Sequence, residues 1–345
     1  MSEGCCFNPQ SVMAVVNSKF TMADRLGAFK VRWGIGRMSY TVAPGLYALG
    51  SPDADSEVLV TASYKLSFDT LRSALGDESY WILVLDTRGV NVWCAAGAGT
   101  FGTDELVRRI EITGLNCRVN HRRVMVPQLG APGIAAHLVK QRSGFSVVYG
   151  PVRASDIPAF IRAGHRAVPA MRKKSFLLRE RLALIPIELT AAPRLLIPMS
   201  LLFGILGGLL GNAGIWADGG RAALSALLAG AFALLAGAVL TPALLPLLPG
   251  RAFWVKSLAP GTLSGVATAA LLAGTDSLGT GHLAWFLIVT ALSAFLAMNF
   301  TGASTYTSPS GVRREMRLGL PLQIGAVAAG LLLWVGSLPA LSGVM

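Results

Sequence analysis

The pattern of apolar positions divides the chain near residue 194. Beyond it lie five long apolar stretches, at about 195–216, 222–248, 258–275, 282–300 and 318–341. Each approaches the roughly 20 residues that a membrane-crossing helix requires. The third is the shortest and is rich in Gly and Ala, which suits a helix packed closely among the others. Before residue 194 the runs are short. Val58–Ala62 reads as a strand and Phe68–Leu75 as a helix. Tyr80–Leu85 is an uninterrupted apolar strand suited to burial on both faces. Thr103–Glu111 reads as a helix with Thr103 as N-cap and Asp104 and Glu105 in its first turn. Val124–Val126 and Phe145–Tyr149 are further strands, and Ala131–Gln141 and Ser155–Ala163 further helices. Such alternation predicts a parallel sheet flanked by helices, with ligands bound where strands end. The loops to examine follow residues 62, 86, 126 and 149. The expected organisation is an N-terminal segment (1–45), an α/β domain (46–170), a linker or interfacial helix (171–194) and an all-α transmembrane domain of five helices (195–345).

Composition sharpens this division. The chain has 345 residues, 53% hydrophobic and 14% charged, against about 25% charged in a typical soluble domain. Only six of its 30 Lys and Arg, and three of its 18 acids, lie at or beyond residue 195. The net charge of +12 suits membrane-flanking loops better than nucleic acid, and no nucleic-acid partner is expected. Basic residues precede the first span (Arg172, Lys173, Lys174, Arg179, Arg181, Arg194), separate the second and third (Arg251, Lys256) and separate the fourth and fifth (Arg313, Arg314, Arg317). The bias places the soluble domain in the cytoplasm and the C-terminus outside a multi-pass inner (cytoplasmic) membrane protein. The opening MSEGCCFNPQ has no basic stretch followed by an apolar one, so no signal peptide is expected. Cysteines stand at 5, 6, 94 and 117 without a C-x-x-C pair. They read as unpaired thiols of a reducing compartment, with neither a disulfide framework nor an intrinsic iron–sulfur cluster.

The loop after the Tyr80–Leu85 strand carries two competing patterns. Gly97, Gly99 and Gly102 form G-x-G-x-x-G, the sequence of a pyrophosphate cradle, although the first glycine stands far from the strand and no ribose-binding acid follows at the usual distance. The second pattern centres on Cys94, beside Trp93 and two alanines. If Asn91–Ala96 forms a helical turn, its N-terminus favours a thiolate, a nucleophile or soft-metal ligand. Asn91 would bond to the backbone of that turn.

The heptapeptide Asn91-Val-Trp-Cys-Ala-Ala-Gly97 resembles the cap-helix signature of the HgcA family, the membrane-anchored corrinoid proteins of microbial mercury methylation. Gly99–Thr103, Val58–Leu66, Val126–Gly133, Tyr149–Val152, Asn299–Ser308 and Ser310–Val312 extend the resemblance over nearly the whole chain. The soluble part is also similar to the corrinoid domain of the corrinoid iron–sulfur protein of the acetyl-CoA pathway, without its cluster domain. The signature usually continues with Lys where this chain has Ala98, which removes a positive charge.

The resemblance implies a Rossmann-like domain holding a cobalamin or related cobamide, with Cys94 as lower axial ligand of cobalt and as catalytic group. It implies cofactor contacts from Thr61, Ala62, Asn91, Val92, Trp93, Cys94, Ala95 and Gly97, and from Gln128, Leu129 and Gly150 on later loops. The implied reaction is methyl transfer to Hg(II), where an anionic sulfur below cobalt stabilises the oxidised metal left behind. The implied partners are a ferredoxin-like protein with two four-iron–four-sulfur clusters (HgcB), a methylated folate as methyl donor, and membrane lipid. Two alternatives stand beside it: a corrinoid methyl carrier for another metabolic acceptor, and a membrane transporter or sensor with a dinucleotide-binding domain. Cys5 and Cys6 are either an adjacent thiol pair that captures Hg(II) or incidental thiols of a disordered tail, and the polar run from Asn299 to Thr307 is either a conduit or a helix-packing surface.

Overall fold

The computed structural model describes residues 12–212, 215–273, 279–303 and 309–338. Cys5, Cys6 and residues 304–307 of the polar run lie outside them. The chain forms two compact units, Met1–Ser175 and Phe176–Met345.

The first unit contains a six-stranded sheet in the order β1-β2-β4-β3-β5-β6. These strands are β1 (Val12–Val16), β2 (Gly45–Leu49), β3 (Val58–Ala62), β4 (Tyr80–Leu85), β5 (Arg123–Val126) and β6 (Ser146–Tyr149). The strands β4, β3, β5 and β6 are mutually parallel, as the alternating pattern predicts. β2 joins β4 antiparallel and carries β1 with it. This extension was not expected, and it draws residues 12–45 into the domain. Helices α1 (Met22–Arg32), α2 (Lys65–Ala74), α3 (Val92–Ala98), α4 (Thr103–Ile112), α5 (Ala136–Ser143) and α6 (Ile157–Arg162) complete the unit.

Side-chain alternation explains the layering. Leu46, Val58, Val60, Leu83, Leu85, Val124 and Val126 point to one face, where they meet Ala95, Phe101, Leu106 and Val139 of the α3–α5 region. Tyr47, Leu59, Ile82, Val84 and Met125 point to the other, against Phe68 and Leu71 of α2 and Phe160 of α6. Each fully buried Leu, Ile or Phe contributes about 1.5–3 kcal/mol. The sheet is therefore a central layer, which is why β4 reads as a continuous apolar run. Among the described cysteines Cys94 is free.

The second unit is helical. Among the described residues four helical stretches are long and apolar enough to cross a membrane: Pro193–Leu210, Ile215–Leu244, Thr280–Phe300 and Gly311–Gly336. The expected third span forms a 16-residue helix, Leu258–Ala273, below the length of the other four. Ile215 and Trp216, expected at the end of the first span, begin the second, and Asp218 and Arg221 lie within it rather than in a loop. Small residues set the close packing. A Cβ at Gly207 would lie 2.5 Å from the Ala222 Cβ, and one at Gly237 2.4 Å from the Ser293 carbonyl. The buried Ser257 and Ser293 hydroxyls pair at 2.7 Å. The stretch expected as an interfacial helix forms α7 (Leu178–Leu182) and α8 (Ile185–Ala191). Both belong to this unit. Phe176 and Leu184 pack with Leu245, Phe253 and Phe300. The buried Arg181 donates to the carbonyls of Pro242 and Ala243, both at 2.7 Å.

Candidate functional site

The site is built at the edge of the sheet where the parallel strands end. β4 leaves the sheet at Asp86, whose backbone N–H donates to Glu105 Oε1 on α4 at 2.9 Å. The chain then turns through Arg88 (φ 55°) and Gly89 (φ 72°), both left-handed. A Cβ at Gly89 would lie 2.8 Å from Thr41 Cγ2 and 3.0 Å from the Met38 carbonyl, so glycine is required there twice over. One buried hydroxyl holds the turn: Ser63 Oγ, just past β3, accepts from the backbone N–H of Thr87 at 3.1 Å and of Gly89 at 3.3 Å. Ser63 Oγ also meets Thr87 Oγ1 at 3.1 Å, and Thr87 Oγ1 donates to the Val90 carbonyl at 2.6 Å.

This turn delivers α3. Asn91 is its N-cap, and Asn91 Oδ1 accepts from the Cys94 N–H at 2.9 Å, as anticipated for that side chain. Val92, Ala95 and Ala96 face the core. At 100° per residue Cys94 falls on the opposite side, between Gly97 and Ala98. Cys94 is half-buried, and Gly97 and Ala98 are exposed. A Cβ at Gly97 would meet nothing within 4 Å, so the surroundings of Cys94 are open. The inner side is tight. α3 rests on the 3-10 segment Gln128–Gly133, where a Cβ at Gly133 would lie 2.1 Å from the Phe101 carbonyl and 3.2 Å from Ala96 Cα.

The glycines do not form a pyrophosphate cradle. Gly97 lies inside α3, Gly99 ends it in the left-handed region (φ 83°), and Gly102 caps α4. That geometry removes the basis for the dinucleotide-binding alternative, because the cradle needs a tight turn directly between strand and helix. Thr103 is not the N-cap of α4, a position held by Gly102. Its hydroxyl accepts from the Ala135 N–H at 2.9 Å, fastening α4 to the start of α5.

The other expected contacts divide. Asn91–Gly97 and the half-buried Gln128 and Leu129 come together through the packing of α3 on the 3-10 segment. Gly150 is buried just beyond β6. Arg172 joins it to Gln128: its guanidinium donates to Gln128 Oε1, to the Tyr149 carbonyl at 3.1 Å and to the Gly150 carbonyl at 3.2 Å. Thr61 and Ala62 are 3% and 0% exposed, so their side chains belong to the interior and only the strand end borders the site. Among the described residues no group of three or more His, Cys, Asp or Glu side chains gathers anywhere.

Residues 35–161 match the family model of the CO dehydrogenase/acetyl-CoA synthase delta subunit. Part of the chain is similar to acetyl-CoA decarbonylase/synthase complex gamma subunits. That of Methanopyrus kandleri is 33% identical over 122 residues, covering 35% of this chain and 26% of that protein. That of Archaeoglobus fulgidus is 32% identical over 130 residues, covering 36% and 27%. That of Methanocaldococcus jannaschii is 30% identical over 128 residues, covering 36% and 26%. The chain thus spans about a quarter of the length of the curated relatives it matches. The family-model match falls within the α/β unit.

Sequence reasoning missed Ser63, Thr87 and Arg172 as positioning groups. The first two are small hydroxyls in loops, and nothing in their spacing reveals that they meet. Arg172 reads as one member of a basic run, and only the ends of β5 and β6 give it a task.

Proposed function

We propose that the α/β unit is a cobalt-corrinoid-binding methyl carrier, tethered by the apolar helices to the cytoplasmic membrane with the unit on the cytoplasmic side and the C-terminus outside. The observation that carries this is the half-buried Cys94 thiol, set on the open side of a short capped helix at the ligand-binding edge of a sheet. The residues suit such a group: one soft donor, bare space at Gly97, and no competing cluster of ligands among the described residues. A bound cobalt corrinoid supplies a metal centre that accepts and releases a methyl group. Cys94 would hold it through its sulfur, a soft donor to the metal. The Asn91 carboxamide, bonded to the Cys94 N–H, fixes the donor's backbone. Val92, Ala95 and Ala96 anchor the helix. Trp93, Gln128, Leu129 and Gly150 would border the ring or its tail, with Thr61 and Ala62 offering their strand end.

The finer reading takes Hg(II) as methyl acceptor, a ferredoxin-like protein with two four-iron–four-sulfur clusters (HgcB) as electron donor and a methylated folate as methyl source. Its support is the heptapeptide with Cys94 at its centre. The alternative of a different metabolic acceptor shares every residue of the site. The absorption spectrum of the purified full chain tests the cofactor and its ligand. A cobalt-corrinoid spectrum that shifts in Cys94→Ala is expected; no corrinoid after reconstitution, or one whose spectrum ignores the substitution, refutes the proposal. Methylated protein offered Hg(II) beside biological thiols then separates the two acceptor readings.

A further inference from the structure

The N-terminal helix α1 carries a surface that the proposed methyl-carrier role leaves unused. One side of α1 is fixed to the domain. Asp24 binds Lys65 at 2.6 Å and Arg72 at 2.8 Å, Val31 is buried, and Gly27 lies so near Tyr40 that a Cβ would come within 2.6 Å of its hydroxyl. At 100° per residue these positions span one arc of the helix. The opposite arc holds Met22, Leu26, Phe29 and Trp33, spaced i, i+4, i+7 and i+11. Met22 is 69%, Leu26 54% and Phe29 60% exposed, and the Phe29 and Trp33 rings pack with centroids 6.0 Å apart, tilted by 45°. Arg25 and Arg32 border this ridge on one side and Lys30 on the other, all three exposed. Ile35 and Met38, 61% and 70% exposed, continue the apolar surface past the helix. Asp24, the one acid between residues 17 and 40, is spent on its buried ion pairs.

We infer that α1 docks the α/β unit onto an anionic lipid surface. An apolar ridge with an aromatic pair, flanked by cations and turned away from the protein, is the arrangement of a helix lying in a bilayer interface. The cations complement acidic headgroups, while the ridge enters the acyl boundary. The apolar helices of the second unit would keep such a surface permanently at hand. The inference rests on the membrane part of the proposed function and not on the corrinoid.

The full chain is reconstituted in vesicles containing photoactivatable phosphatidylglycerol, illuminated, and mapped by peptide mass spectrometry. Adducts are expected on residues 22–33 as well as on the apolar helices. Those on 22–33 should fall more than about tenfold in phosphatidylcholine vesicles carrying the zwitterionic photolipid, in high salt, or in the Arg25→Glu, Lys30→Glu, Arg32→Glu triple variant. The salt titration needs no variant and so is independent of folding. Adducts on the apolar helices with none on 22–33 overturn the inference and leave the membrane reading standing. Adducts on neither overturn both. Cross-linking of 22–33 to the same peptide of another copy, without lipid adducts, overturns it in favour of self-association.

Discussion

Replacing Asn91 by Ala tests how the Cys94 donor is held. The change deletes one acceptor, Oδ1, which takes the Cys94 N–H at 2.9 Å, and leaves the core-facing Val92, Ala95 and Ala96 untouched. A seven-residue helix is too short to persist on intrahelical bonds alone. It is held by packing on its inner side and by this cap. Loss of an Asn N-cap costs about 1 kcal/mol, or roughly a fivefold rise in the opened population. The opening is local, because the strands beneath are buried on both faces. Hydrogen exchange at the Cys94 and Ala95 amides should accelerate by about that factor. Alkylation of the Cys94 thiol in the native protein should rise in parallel, while exchange at Ile82–Val84 stays unchanged. Asn91→Asp and Asn91→Ser keep an acceptor and should remain within about twofold of the original. If the Cys94 amide exchanges no faster in Asn91→Ala, or if Asn91→Asp loosens it equally, the cap is not what positions the thiol.

Gly133→Ala should destabilise the α/β unit by about 3 kcal/mol in denaturant unfolding, since its methyl group would sit 2.1 Å from the Phe101 carbonyl. Gly97→Ala, with nothing within 4 Å, should stabilise the corrinoid-free chain by up to about 1 kcal/mol yet reduce corrinoid retained on gel filtration. Burial alone would raise the Asp24 carboxyl, but hydrogen bonds from Lys65, Thr21 and Arg72 outweigh it and hold the group far below its usual 3.8. A depressed native value makes the stabilisation complete above about pH 4 and loses it as pH falls further. Asp24→Asn should therefore cost about 3 kcal/mol at pH 7 and flatten the acid limb of the Tm–pH curve. Gln323 is 6% exposed and its carboxamide has no hydrogen-bond partner among the described residues, so Gln323→Leu should raise the thermal stability of the detergent-solubilised chain, by about 1–3 kcal/mol.

The sheet's parallel half was legible because β3 to β6 are short apolar runs separated by amphipathic stretches. β2 was not, although Gly45–Leu49 is buried throughout. Its five residues offer no alternation, and its antiparallel place depends on a partner 39 positions later, Gly45 opposite Val84. The cap turn at Asn91 was legible because Asn followed by a small-residue run is local chemistry. The helix expected over Ala131–Gln141 in fact begins at Ala136, and Ala131–Gly133 instead end the 3-10 segment Gln128–Gly133. Pro132 and two glycines divert that stretch, and its shape answers to Phe101 rather than to its own propensities. The glycine pattern misled for a related reason. Spacing alone cannot distinguish glycines that end one helix and cap the next from glycines that admit a phosphate.

Arg181 bears on how the molecule can be divided for separate study. A fragment stopped at Arg194, where the apolar runs begin, would carry Phe176, Leu184 and Ile185 away from the helices that cover them. It would also expose a guanidinium whose acceptors, the Pro242 and Ala243 carbonyls, had been left behind. The result would be a sticky, positively charged tail prone to aggregation. A cut after Ser175 leaves each core with its own side chains, so the better boundary for a soluble piece lies about 19 residues upstream of the one hydropathy suggests.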